Sequence, residues 1–332
     1  MSRSSGVRLR VSSGLLTAGL AILASAFGQT PRQPLAQANA ALQAGEADKA
    51  LALLQSLPAA DANGAEAHNL QCRVRYMLEQ WDAAAKECEQ AVRLDGENSN
   101  YHLWLGRALG EKADRASFLN AYSLAKQVRA EFEESVKLDP KNVKALSDLG
   151  EYYSRAPAVV GGGTDKAEGV AAQLDKVDPA RAHELRGRIA EGRKDYETAE
   201  REYKAAVAAG THPAFQWVTL ASFYQRRGRW SDMESAVRSD VSAAERDKHA
   251  GVALYDGASV LTSADRDTAL AAKMLEDYVA SPAKAEEAPA FKALNRLAGL
   301  NEKLGDAADA KQERSEAQAL AHEYKQGQDS HH

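Results

Sequence analysis

Several kinds of chemistry are excluded by what this sequence has little of. It holds two cysteines, Cys72 and Cys88, in 332 residues, too few for a disulfide-dense scaffold or a Cys-rich zinc module. They are not spaced as a C-x-x-C redox pair. Aromatics make up 6% of the chain, and alternating runs of β-branched and aromatic residues, the mark of strands, are scarce. The net charge of −5 is too weak and too mixed for a general nucleic-acid surface. No HExxH, GxSxG or G-x4-G-K-[ST] spacing occurs, and the eight histidines are scattered, so no catalytic or metal-ligating set stands out. The chain therefore reads as a non-enzymatic protein, with no catalytic residue, metal or cofactor.

Long hydrophobic runs are also lacking. The clearest spans residues 11–23 and contains Ser12 and Ser13, whereas a membrane-spanning helix needs roughly 20 apolar residues. Arg3, Arg8 and Arg10 precede it, no acid occurs before it, and Ala24-Ser25-Ala26 follows. This is the layout of a secretory signal peptide with cleavage near Ala26. Residues 1–26 are thus expected to be removed, leaving a periplasmic or secreted bacterial protein with 27–33 as a short linker. Membrane contact is expected only if the segment stays uncleaved.

What is abundant is helical periodicity that repeats. Residues 217–230 place Trp217, Leu220, Ala221 and Tyr224 on one helical face. Ala221 is small enough for a second helix to lie close. Gly228 ends the first helix in a left-handed conformation. Trp230 opens the second, whose buried stripe continues through Met233 and Val237. Copies of either half occur around Leu149-Gly150, Leu105-Gly106 with Phe132, Gly187 with Tyr203 and Ala206, and Cys72 with Trp81, Cys88 and Ala91. Weaker copies lie near Gly45, Gly257 and Ala298.

The W-x2-L-[small]-x2-Y-x3-G pattern resembles the tetratricopeptide repeat, whose period is about 34 residues. The resemblance covers about residues 34–322 and implies an all-α, right-handed α-solenoid of about eight helical hairpins, with polar end units facing solvent. Residues 323–332 read as a disordered polar tail. Relative to the repeat, the third hairpin carries an insertion of about ten residues and the fourth one of about five. The fourth pairs Ala156-Pro157 and Gly161-Gly162-Gly163 with an upstream Phe132 to Pro140 stretch. That wording is similar to secreted bacterial tetratricopeptide proteins.

The resemblance implies a concave groove, lined by first helices, that takes a peptide or partner helix. Positions expected on it are Asn69, Arg73, Tyr76, Arg107, Glu151, Glu184, Arg188, Ser222, Gln225 and Arg226. Arg73, Arg107 and Arg188 would form a basic track for carboxylates, since guanidinium presents a bidentate fork; equally, they would pair with Glu151, Glu184 and Glu191. The carboxylate clamp of chaperone-binding relatives is not reproduced. The expected role is an adaptor or assembly scaffold of the cell envelope with a protein or peptide partner. The alternative is a small-ligand or anion site at Gly161 to Gly163, at the start of a helix capped by Thr164 or Asp165. Cys72 and Cys88 fall on facing apolar surfaces, either bridged or buried as small thiols.

Overall fold

The computed structural model describes residues 32–324 except residue 283. The expected signal segment, residues 27–31 of the linker and residues 325–332 of the tail lie outside the described residues. Every regular element among the described residues is helical, and none of these helices is long and apolar enough to cross a membrane.

The helices form eight antiparallel hairpins: α1 (Arg32–Gln43) with α2 (Ala47–Gln55); then, after the single turn α3 (Ala59–Ala62), α4 (Ala65–Met77) with α5 (Trp81–Leu94). Next come α6 (Ser99–Asp114) with α7 (Phe118–Leu138), α8 (Val143–Arg155) with α9 (Thr164–Leu174), and α10 (Pro179–Gly192) with α11 (Tyr196–Ala209). The last three are α12 (Pro213–Arg226) with α13 (Trp230–Ala244), α14 (Gly251–Ser263) with α15 (Thr268–Ala280), and α16 (Ala290–Leu304) with α17 (Ala307–Leu320). First helices of successive hairpins touch one another along the array, which places them on the inner, concave side.

One local device starts most second helices. Gly45, Glu79, Lys194, Gly228 and Gly305 all have positive φ between the two helices of a hairpin. At each, the next N–H reaches back to a carbonyl in the last turn of the first helix, as Arg229 does to Tyr224 and Asp195 to Ala190. This is the paired-bond helix stop that glycine favours. Gly228 was legible in the sequence; Glu79 and Lys194 were not, because neither side chain prefers that conformation. Lys194 is exposed, with φ +62°. Lys194→Gly is therefore expected to stabilise the protein by about 1 kcal/mol, measured by urea denaturation.

The two helices of a hairpin close on each other through one repeated contact. A Cβ on Gly106 would lie 2.5 Å from the Phe132 ring, and one on Gly187 would lie 2.6 Å from the Tyr203 ring. Glycine on the first helix thus seats an aromatic ring of the second. In the second hairpin the same two places hold Cys72 and Cys88, 16 residues apart as Gly187 and Tyr203 are. They are joined as a disulfide with Cα atoms 5.2 Å apart. Helix axes usually pack about 8–10 Å apart, but the small residue turns its Cα toward the partner helix, so the Cα atoms come closer than the axes.

The insertions resolve simply. In the third hairpin the added residues lengthen α7 into a 21-residue helix. In the fourth they form a 3-10 turn at Ala158–Val160 and the glycine loop. Gly163, not Thr164 or Asp165, occupies the N-cap of α9 and makes no side-chain cap bond. The backbone reaches that position with φ +156°, so the helix starts one residue earlier than expected.

The array returns on itself, contrary to the expectation of end units facing solvent. Leu42, Ala47, Leu70 and Val74 of the first two hairpins share one core cluster with Phe291, Leu294 and Ala317 of the last. Tyr324, expected in the polar tail, packs on the fully buried Phe291 with ring centroids 4.8 Å apart. Gly45 lies against Pro289, where a Cβ would come within 2.9 Å of its Cα. Lys292 pairs with Glu79, and Arg75 with Glu323 at 2.5 Å. The coil of eight hairpins thus brings its apolar first hairpin back to meet α16 and α17, burying both ends on each other.

Candidate partner-binding groove

On the inner face, charged side chains of one first helix pair with those of the next. Arg107 of α6 donates to Asp148 of α8 at 2.6 Å. Arg188 of α10 donates to Glu151 of α8 at 3.1 Å. Arg226 of α12 forks onto both carboxylate oxygens of Glu191 at 2.7 and 2.9 Å. Glu184 of α10, buried, accepts from Arg181, and from Gln216 and Thr219 of α12. Gln225 donates to the Ser263 hydroxyl of α14 at 2.7 Å. These pairs form a ladder along the groove; of Arg73, Arg107 and Arg188, only Arg188 meets one of the carboxylates expected of it, Glu151, while Arg107 takes Asp148 and Glu191 is taken by Arg226.

Arg73 is different. Its Nε and one Nη lie 2.9 and 3.0 Å from the two carboxylate oxygens of Glu286, and the other Nη donates to Asn39 at 3.2 Å. Glu286 belongs to the segment between α15 and α16. The next residue, Glu287, accepts from Lys144 of α8 at 3.1 Å and lies 3.8 Å from Arg107. Trp104 sits beneath this cluster, with the guanidinium carbons of Arg73 and Arg107 at 5.4 and 4.8 Å from its ring centre. Tyr76 stands edge-on to Trp104 at 5.5 Å and donates to Glu111. The basic track therefore holds carboxylates, but they come from the chain itself. Burial pushes the Glu286 carboxyl above its ordinary pKa, with Arg73 opposing. Burial also opposes the charge of Glu287, yet Lys144 and Arg107 hold its pKa below the usual value.

The groove positions thus fall into two groups. Asn69, Arg73 and Tyr76 are buried or half-buried and line neither of the two open volumes described next. Arg107, Glu151, Glu184, Arg188, Ser222, Gln225 and Arg226 line those volumes, all but Ser222 while paired with a neighbouring side chain. A cavity of about 670 Å³ is lined by Arg188, Ser222, Gln225, Arg226, Asp256 and Arg296 among others. A second, of about 520 Å³, lies between Arg107, Lys144, Glu151, Arg181, Arg188 and Glu287. Lys144, Asp148, Arg181, Asp256, Glu286, Glu287 and Arg296 were not singled out from sequence. Five of them, on the helices, follow no repeat signal that separates inner from outer charges. Glu286 and Glu287 reach the site only through ring closure.

The glycine loop has a structural explanation. The N–H groups of Gly161, Gly162 and Gly163 donate to the carbonyls of Ala158, Pro157 and Tyr153, so none of the three is turned toward a ligand. A Cβ on Gly162 would lie 1.8 Å from the Ala156 carbonyl oxygen, and one on Gly161 would lie 1.9 Å from the Arg129 guanidinium. Gly161 and Gly162 are there because the chain folds back on itself too tightly for side chains, whereas a Cβ on Gly163 would meet nothing within 4 Å. This removes the observation on which a loop-centred anion site would rest.

Three histidines take the place that Trp217 holds in the sixth hairpin. His68, His102 and His183 contact Glu87, Glu131 and Glu202 of their own second helices at 2.7, 2.6 and 2.8 Å. The hydrogen bond to Glu131 raises the pKa of His102, with burial opposing it. These pairs fasten hairpins rather than converge on one point.

The fold is an all-α solenoid of helical hairpins. No protein-family model matches the chain. A mouse protein, Superkiller complex protein 3, is 27% identical over 228 residues, 64% of this chain but 13% of that protein. The chain thus spans a small fraction of that relative. Among solved structures, a thermophilic TPR protein of Thermus thermophilus aligns at 19% identity and TM-score 0.47, covering 58% of this chain and 98% of that one. The MamA protein aligns at 18% identity and TM-score 0.42, over 55% and 92%.

Proposed function

We propose that this protein is an exported, non-enzymatic adaptor or assembly scaffold of the bacterial cell envelope, which holds a peptide or helix of a partner protein against its first helices. The observation that carries the reading is the inner face itself. It presents arginine, serine and glutamine side chains around two open volumes, backed by rigid packed helices rather than loops. The Cys72–Cys88 bridge supports the export reading, since disulfides persist in oxidising compartments.

The test uses mature protein beginning at Phe27 as bait in a native envelope fraction. A matched bait carries Arg188→Glu and Ser222→Arg, which alter the open part of the groove and leave the buried pairs intact. A partner enriched by the first bait and lost with the second is expected. Equal capture by both would refute the groove, and recovery of the chain from the cytoplasm with residues 1–26 attached would refute export.

A further inference from the structure

The segment between α15 and α16 is polar, lies in the groove, and is not explained by the repeat. It is held firmly. Lys284 donates its ammonium to the carbonyls of Tyr278 and Val279, each at 2.8 Å, and to that of Ser281. Tyr278, fully buried, donates its hydroxyl to the Ala288 carbonyl. Between these anchors, Glu286 and Glu287 project onto Arg73, Lys144 and Arg107, whose home helices belong to the second, third and fourth hairpins. Two adjacent carboxylates thus satisfy the cations at one end of the ring. The arginine fork and the flanking Trp104 form a pocket matched to a paired-acid segment.

We propose that residues 284–288 are a built-in occupant of the groove: an acidic latch that closes the ring, and whose place is taken by a partner segment presenting paired carboxylates. The proposal rests on the groove reading above and adds the chemistry of the partner and the means of its control. A closed latch lowers the apparent affinity for such a partner by the fraction of molecules in which it is open. Sequence position matters as well. Because Glu286 and Arg73 lie 213 residues apart, displacement of the latch loosens the contact between the first and last hairpins, so that partner binding and ring opening are coupled.

Amide hydrogen exchange on the full mature chain tests the latch. Glu286→Gln with Glu287→Gln, and separately Arg73→Glu, should speed exchange in residues 284–293 and in α1 at least about tenfold, the scale of a lost charge-assisted bond. The swap Arg73→Glu with Glu286→Arg should restore most of the protection. If the swap leaves exchange as fast as in the single variant, the charge pair is not the latch.

The occupant is tested with a synthetic peptide of residues 281–290 added in trans. It should bind the Glu286→Gln, Glu287→Gln chain at least about tenfold more tightly than the unaltered chain. A peptide with glutamines at both acidic positions should not bind. Equal binding to both chains, or none to the opened chain, would overturn the proposal while leaving partner capture through Arg188 and Ser222 untouched. Loss of that capture with the latch results intact would instead overturn the groove reading.

Discussion

Asp240→Ala should make the protein more stable, and the gain should grow with pH. Asp240 lies on α13, fully buried, with no partner for either carboxylate oxygen. It faces Gly257 of α14, where a Cβ would come within 2.4 Å of the carboxylate. Burial, with a further push from the charge of Asp256, raises its pKa from 3.8 to about 8. Asp256, itself raised by burial to about 6, acts in the same direction.

The sign follows from proton counts. Between these values the folded state keeps a proton on Asp240 that the unfolded chain has released. Stability is therefore fully present below pH 3.8 and is lost as pH rises through about 8. The equivalent places, three residues beyond Cys88, Phe132 and Tyr203, hold Ala91, Ser135 and Ala206, so a small side chain is what the other hairpins use at this position. Urea denaturation at pH 5, 7 and 9 should show a gain on the order of 3 kcal/mol at the highest pH, shrinking toward the lowest. A gain independent of pH would mean that Asp240 is ionised in the folded state throughout and that burial does not raise its pKa.

Removing the Cys72–Cys88 bridge should cost about 3 kcal/mol, the loop-entropy value for a closure of this length. The loss should be local. In a solenoid each unit rests mainly on its neighbours, so hydrogen exchange should quicken in α4 to α6 and little in α11 to α15. The substitution that repairs it is specified by the other hairpins. Cys72→Gly with Cys88→Phe recreates the contact that Gly106 makes with Phe132 and Gly187 with Tyr203. That pair should be more stable than Cys72→Ala with Cys88→Ala, where the helices face each other across a gap lined by two methyl groups. If the Gly–Phe pair is the weaker of the two, the equivalence of these places fails.

Both results turn on reading hairpins against one another, and that is also where the sequence was most informative. Small residues at Ala221, Gly150, Gly106, Gly187 and Cys72 marked the first helices of the second to sixth hairpins because only a small side chain allows the close approach. Gly228 marked the turn because its conformation is cheap for glycine. The expectation that Arg73, Arg107, Arg188 and Arg226 lie on an inner face came from the resemblance to the tetratricopeptide repeat, in which first helices line the groove. What each of them meets did not follow. Charged side chains are long and flexible, so a repeat pattern fixes where a guanidinium starts but not which of several carboxylates within reach it takes. The buried Asp240 shows the same limit from the other side, since an aspartate three residues beyond Val237 looks in sequence like any surface acid.

The sequence by itself determined the secondary structure, the hairpin count and the faces on which helices pack, because these depend on periodicities of a few residues and on local backbone preferences. Tertiary structure alone decided that the array closes, that Glu286 and Glu287 occupy the basic track, and that Asp240 is sealed against Gly257. Each depends on a small rotation and displacement between successive hairpins, summed along the array. That sum brings residues 73 and 286 together, and no local pattern in the sequence encodes it.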